Sequence, residues 1–245
     1  MTSEGAAEPT AEARAEAGIG AAAHAAAETG RRTTIAAEIA RSAAERLAFF
    51  SDAVVAIAIT LLAIELPVPE GDTDTQFLHS LGEESFAYIT FLISFVAIAN
   101  HWAAHHRVFR YVGRADRPLV LLNLVWLLLI VLTPFLTEVI REGDDITWIR
   151  FGLYSLAQAL LLFVLAVMVS RMSTRDLFVE GTPGSLSRRG WISMALTGAG
   201  FLLSIPFFPL LHAWSFAVWI VLPIVFNRIA VAVGLVPPHR RGEDG

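Results

Sequence analysis

Six stretches of the chain are apolar almost without interruption, at residues 47–66, 86–106, 119–140, 151–170, 191–212 and 214–236. Each approaches the ~20 residues that carry an α-helix across the hydrocarbon of a bilayer. The pattern predicts an all-α integral membrane protein with six transmembrane helices per chain. Pro67 and Pro69 stop the first segment and Pro118 opens the third. Ala213 is nearly all that separates the fifth from the sixth, which calls for a tight surface turn. Ahead of the first segment, Ile35, Ile39, Ala43 and Leu47 recur every fourth residue, the spacing of an amphipathic helix entering the membrane as a collar. Residues 1–30 hold Ala, Glu and Gly with few large apolar side chains, so they read as a disordered tail. His24 interrupts the Ala22–Ala27 run and acidic residues precede it, so no cleaved signal is expected. The division is then a disordered cytoplasmic tail at 1–30, a six-helix transmembrane domain at 31–240 and a short cytoplasmic tail at 241–245.

Composition narrows the chemistry. Of 245 residues 55% are hydrophobic and 17% charged, leaving no room for a large soluble domain beside six spans. Cys is absent, which removes disulfides, thiolate metal sites and cysteine nucleophiles. All 18 basic residues are Arg, so lysine Schiff-base mechanisms are excluded as well. Sixteen of those arginines fall in the amino-terminal region, after segments two and four, or at the carboxy end. Only Arg141 and Arg150 fall on the other side. This asymmetry predicts a multi-pass protein of the inner (plasma) membrane with both termini cytoplasmic. The outer side carries Glu65, Glu70, Asp72, Asp74, Glu83 and Glu84 without one Arg among them, a solvated acidic loop or a cation-attracting vestibule. The arginines lie beside membrane segments and lack interleaved aromatics, so topology explains them and no nucleic-acid partner is expected. Trp102, Trp126, Trp148, Trp191, Trp214 and Trp219 fall mostly near segment ends, as an interfacial belt would place them.

The stretch from Arg46 through Phe50, Ser51 and Asp52 into the first segment holds the strongest candidates. A carboxylate at the mouth of a spanning helix is costly unless it is wet or paired, which marks Asp52 as a site or a structural lock. At about 100° per residue Ile57, Leu61 and Ile64 form one stripe with Thr60 at its edge. Asp52 projects about 140° from Ile57, toward neighbouring helices, and so reads as the lock. Arg46 projects within about 20° of Ile57, so it must be held aside by Asp52 or another acceptor, or lie ahead of the helix. In segment two His101, His105 and His106 share a metal-like spacing, but the other four histidines stand alone. A satisfied cytoplasmic-end histidine that hydrogen-bonds within the bundle, or a pH sensor, competes with a metal site there. Asn123 and Gln158 read as interhelical hydrogen-bonding residues.

The Arg-x-x-x-Phe-Ser-Asp mouth at Arg46–Asp52, followed by Ala-x-x-Ala-Ile-Ala-x-Thr-Leu-Leu, resembles the signature of the transmembrane protein 175 family of potassium channels. Asn100-His101-x-x-x-His105-His106-Arg107 and Asn123-x-x-Trp126 with Thr133-Pro134-Phe135 are similar to patterns of the same family. The resemblance implies a homotetramer in which the first helix of each chain lines a central pore. It implies further that bulky aliphatic rings form the constriction, at the matching positions Ile57, Leu61 and Ile64, with Thr60 beside them. The expected function is passive, potassium-selective conduction without enzymatic activity. No cofactor is expected, and the partners are the bilayer, further copies of the chain and potassium as permeant. The alternative is a proton-permeable channel or proton-coupled carrier using Asp52 and the segment-two histidines. Arg46, Ser51, Asp52 and His106 are expected to form one interhelix or intersubunit network.

Overall fold

The computed structural model describes residues 11–142, 146–211 and 215–232. They form α1 (Ala11–Ile64), α2 (Asp74–Glu83), α3 (Ser85–Phe109), α4 (Arg117–Arg141), α5 (Trp148–Thr174), α6 (Gly184–Leu211) and α7 (Ser215–Ala232). Among the described residues five helices, α1 and α3 to α6, are long and apolar enough to cross a membrane. The protein is therefore an all-helical integral membrane protein. α7 covers most of the sixth apolar stretch with 18 residues. The turn expected at Ala213 and the tail at 241–245 lie outside the described residues.

The amino-terminal expectation needs correcting. Residues 11–30 are helical and continuous with the first span, rather than a disordered tail, while residues 1–10 lie outside the described residues. Alanine has the highest helix propensity of any residue, and this segment is built from it. Lack of large apolar side chains deprives it of a core without depriving it of a helix. At 1.5 Å per residue the 54 residues reach about 80 Å, far beyond the ~30 Å of hydrocarbon. Seven charged residues lie between Glu28 and Arg46, and none between Ala53 and Ile64. The membrane portion of α1 is thus its last five turns.

α5 is the hub of the bundle, packed against α6 on one side and α4 on the other, while α1 rests on α3 and α4. Leu161, Leu165, Met168, Val169 and Met172 of α5 are fully buried and share one core with Ile98, Leu119, Trp126, Ile130, Val55, Ala58 and Leu62. α6 approaches α5 closely at Gly198, where a Cβ would meet the Ala159 carbonyl oxygen at 3.2 Å. A second core joins Phe151 and Tyr154 of α5 to Phe208 of α6 and Trp219 of α7. Phe151 stacks on Phe208 and Trp219 at 4.5 and 5.0 Å between centroids. Trp219 Nε1 donates to Ser204 Oγ at 2.9 Å. Two members of the expected tryptophan belt are therefore core residues: Trp219 here, and Trp126, which is wholly buried in α4. Trp148 and Trp191 remain exposed, whereas Trp214 lies outside the described residues.

The ends of the bundle differ chemically. At one, the α3–α4 and α5–α6 connections are pinned together by a Val112–Phe178 bridge, with Gly113 N donating to Leu177 O at 2.8 Å and Val179 N to Tyr111 O at 2.9 Å. Arg171 adds a two-point clamp on Asp116, with Nη2 to Oδ2 at 2.6 Å and Nε to Oδ1 at 3.1 Å. Arg107, Arg110, Arg114, Arg117 and Arg175 belong to the same end. At the other end Tyr88 donates to the Pro67 carbonyl at 2.8 Å, and Arg141 donates to the Glu65 carbonyl at 3.2 Å and to the Glu138 carboxylate. The acidic stretch there is not simply a loop. It contains α2, capped by Thr73, whose side chain accepts from Gln76 N, and it presents Phe77, Leu78 and Leu81 on its surface.

Asp116 also caps α4, its Oδ1 accepting from Leu119 N at 2.9 Å. Arg171 holds its carboxyl below the ordinary 3.8, so the clamp is fully present above that value and is lost as pH falls through the lowered one. Asp116→Asn keeps a capping oxygen and removes the charge. The variant should melt below wild type by a gap that stays constant from pH 8 to about 5 and closes in stronger acid, read by fluorescence-detected melting in detergent.

Candidate functional site

The membrane portion of α1 has two faces. Ser51, Val55, Ala58 and Leu62, spaced by four, three and four, fall within about 60° of one another and are buried against α3 and α4. The small side chain of Ala58, fully covered, lets the helices approach. Ile57, Leu61 and Ile64 lie on the opposite side, 59%, 39% and 75% exposed. Thr60 stands at the edge of this stripe, its hydroxyl donating to the Ile57 carbonyl at 2.8 Å. Ile35, Ile39, Arg46 and Phe50 continue that exposed face toward the amino terminus. A single protomer therefore leaves an unbroken stripe of α1 without a partner in its own bundle.

What fixes that orientation is a polar ladder beneath the buried face. Asn123 Nδ2 donates to Ser51 Oγ at 2.9 Å, and Ser51 Oγ donates in turn to the Leu47 carbonyl at 2.9 Å. Asn123 Oδ1 accepts from His105 Nε2 at 2.8 Å. The imidazole of His105 is sandwiched between Phe109 and Trp126, with centroids 3.9 and 4.3 Å away. One helical turn along α3, His101 Nε2 donates to Gln158 Oε1 at 2.8 Å. Further still, Tyr154 and Thr137 both donate to Ser94 Oγ, at 3.1 and 2.8 Å. Asp52 stands at the edge of this system. Its Oδ1 accepts from Trp102 Nε1 at 2.8 Å and its Oδ2 faces His106 Nδ1 at 3.8 Å.

The residues expected to form one network fall into two groups in the protomer. Ser51 joins Asn123, His105 and Trp126, Asp52 joins Trp102 and His106, and Arg46 lies apart from both. Arg46 lies on the exposed face, and α1 is continuous through it, so neither Asp52 nor an early helix end holds it aside. Trp102 takes the place assigned to it. The signal was present in the sequence, since Trp102 and His106 share a helix face at a spacing of four, but an indole near a segment end reads first as belt. The histidines hold three different partners, and among the described residues no group of three or more His, Asp or Glu could hold a metal ion. A cleft of about 420 Å³ opens beside Asp52 and His106, bounded by Phe49, Phe109, Arg41 and Glu180.

Fold and site together define a polytopic helical membrane protein whose leading helix is pinned on one face and free on the other. The family model described as endosomal/lysosomal potassium channel TMEM175 matches residues 46–134, from Arg46 of the mouth to Pro134 of α4. A potassium channel of Streptomyces collinus is 35% identical over 165 residues, which span 65% of this chain and 80% of that one. A potassium channel of Chamaesiphon minutus is 38% identical over 99 residues, 40% of this chain and about half (49%) of that relative's length. The crystal structure of a lysosomal potassium-selective channel TMEM175 homolog from Chamaesiphon minutus superposes with a TM-score of 0.64 at 25% identity, covering 78% of this chain and 99% of that one. The chain belongs to the TMEM175 family and is a TMEM175-type ion channel.

The ladder makes graded predictions for stability in detergent. Asn123→Ala leaves the buried His105 imidazole without its hydrogen-bond partner, while Ser51 keeps its bond to the Leu47 carbonyl, and should cost about 1–3 kcal/mol. Ser51→Ala should cost less, because an interhelical hydrogen bond inside a membrane is worth only about 0.6 kcal/mol on average. Asp52→Asn keeps an acceptor for Trp102 and should change the melting temperature least of the three.

Proposed function

We propose that four chains assemble around an axis faced by the exposed stripe of α1, and that the assembly conducts potassium passively through it. The observation that carries this reading is the division of α1 into a face held by its own bundle and a face of Ile57, Thr60, Leu61 and Ile64 that nothing in the protomer covers. In this reading six spans per chain put both termini in the cytoplasm, with the arginine-rich end of the bundle inside the plasma membrane. The names of the bacterial relatives, both potassium channels, support the choice of permeant.

Four aliphatic side chains at one level enclose a throat that water leaves when it narrows, so small rotations of α1 gate conduction by wetting and drying. Such a ring coordinates nothing. It favours potassium over sodium through the lower cost of stripping water from the larger ion, which gives modest selectivity. Thr60 spends its hydroxyl hydrogen on its own backbone and keeps its oxygen lone pairs for a passing cation. Arg46 lies on the same stripe, and four free guanidinium groups near an axis would repel potassium. In the tetramer each Arg46 therefore pairs with an acceptor on the neighbouring chain. A proton carrier built on Asp52 and the histidines has less support, because those side chains are committed to separate partners: Trp102, Gln158 and Asn123.

Reconstitution tests the proposal. In liposomes carrying a potassium gradient, Ile57→Asn should raise the flux and weaken discrimination against sodium, since a polar ring stays wet. Unchanged flux and selectivity in Ile57→Asn and Leu61→Asn alike would place the constriction elsewhere.

A further inference from the structure

We propose that the arginine-rich end of each protomer holds a site for the phosphate of an anionic phospholipid, formed by Arg114, Arg171 and Arg175 around Asp116. The site is assembled from two connections far apart in the chain. Gly113 N and Arg114 N both donate to Leu177 O, at 2.8 and 3.4 Å, and Val179 N donates to Tyr111 O at 2.9 Å, so the two connections run side by side. This sets Arg114 against Arg175, with Nη2 of the first donating to the carbonyl of the second at 3.4 Å. Arg175 stands near enough to Asp116 to favour its charged form, and Arg171 clamps the same carboxylate from the last turn of α5. Among the described residues Asp116 is the one carboxylate in ion-pair contact with this set, although Asp176 follows Arg175 in the chain. Three guanidinium groups thus share one carboxylate, and the surplus is positive. Arg114 and Arg175 are exposed and open to a ligand. A topological bias spreads arginines along one side of a membrane without requiring them to converge. Here the backbone holds like charges together, which is costly unless an anion answers them.

The surroundings select a lipid over a free anion. Arg117 follows Asp116, and at about 100° per residue Leu121, Leu124 and Leu128 fall in line with it along α4. All three leucines are exposed, so an apolar track leads from the cationic end down the span. A phosphodiester seated on the guanidinium forks, whose paired N–H groups match phosphate oxygens, lays an acyl chain along that track. Basic pockets beside membrane helices recognise anionic headgroups in this way. A zwitterionic headgroup brings its own ammonium into the same positive field and is disfavoured. The inference rests on the proposed topology only in making the leaflet the inner one; binding itself requires neither a tetramer nor conduction.

Native mass spectrometry of the full-length protein in detergent tests this, with phosphatidylglycerol, phosphatidylcholine or inorganic phosphate as the added probe. Wild type should retain phosphatidylglycerol in preference to phosphatidylcholine, and excess inorganic phosphate should not displace it. Arg114→Gln combined with Arg175→Gln should weaken phosphatidylglycerol binding about 30-fold, from the contribution of each arginine at an anionic surface. If that double variant does not fold, Arg175→Gln alone, whose side chain forms none of the bonds between the connections, should weaken it about fivefold. Arg107→Gln combined with Arg110→Gln removes the same charge from the same end and should leave binding nearly unchanged. Equal weakening in the two double variants means diffuse attraction and overturns the site. Displacement by inorganic phosphate, or equal retention of the two lipids, overturns the choice of ligand. None of these readouts involves ion flux, so a failure here is distinct from a failure of conduction.

Discussion

A polar side chain inside hydrocarbon must find its partner within the protein, and that requirement organises this channel. α3 carries Ser94, His101 and His105 along its inward side, and they reach two helices: Ser94 meets Thr137 of α4 and Tyr154 of α5, His101 meets Gln158 of α5, and His105 meets Asn123 of α4. Asn123 passes the connection on to Ser51 of α1. Apolar packing in lipid does not distinguish one rotation of α1 from another, since lipid tails are as apolar as leucine. The Ser51–Asn123 bond does. Rotating α1 by half a turn would bury Thr60 against α3 and α4, expose Ser51 and leave the buried Asn123 amide without that partner. The polar ladder thus decides which face of α1 stays free, and the free face is the one on which conduction is proposed to occur.

The two ends of the bundle are held by different means. At the arginine-rich end a backbone bridge and the Arg171–Asp116 clamp tie two connections into one unit. At the acidic end Arg141 binds the carbonyl of Glu65, the residue directly after the exposed stripe. The span between is fixed at both limits, while its exposed face owes nothing to the protomer. Such an arrangement leaves the stripe free to meet copies of itself.

Much of this was legible in the sequence because the bilayer imposes so narrow a code. The apolar runs gave the helices from α3 to α6, and the period of 3.6 separated Ile57, Leu61 and Ile64 from Asp52 without any coordinates. Asn123 and Gln158 stood out for the same reason, as polar residues with nowhere else to go. Other features were hidden because one residue type serves two physical roles. Tryptophan suits both an interface and a core, so Trp126 and Trp219 were misplaced and the tie from Trp102 to Asp52 was missed. Alanine neither builds a core nor breaks a helix, so residues 11–30 read as tail yet extend α1. Contacts between loops distant in sequence, such as Val112 with Phe178, leave no periodic trace.

The free face of α1 is proposed to border the ion path. The chain contains no cysteine, so single cysteines report without background. They can be placed in turn at Ile57, Thr60 and Leu61, and at the buried Val55, Ala58 and Leu62, then treated with a water-soluble cationic thiol reagent during potassium flux from liposomes. The first set should be modified and flux should fall, while the second set stays inert. Block from the second set, or inertness of the first, rules out an ion path along this face.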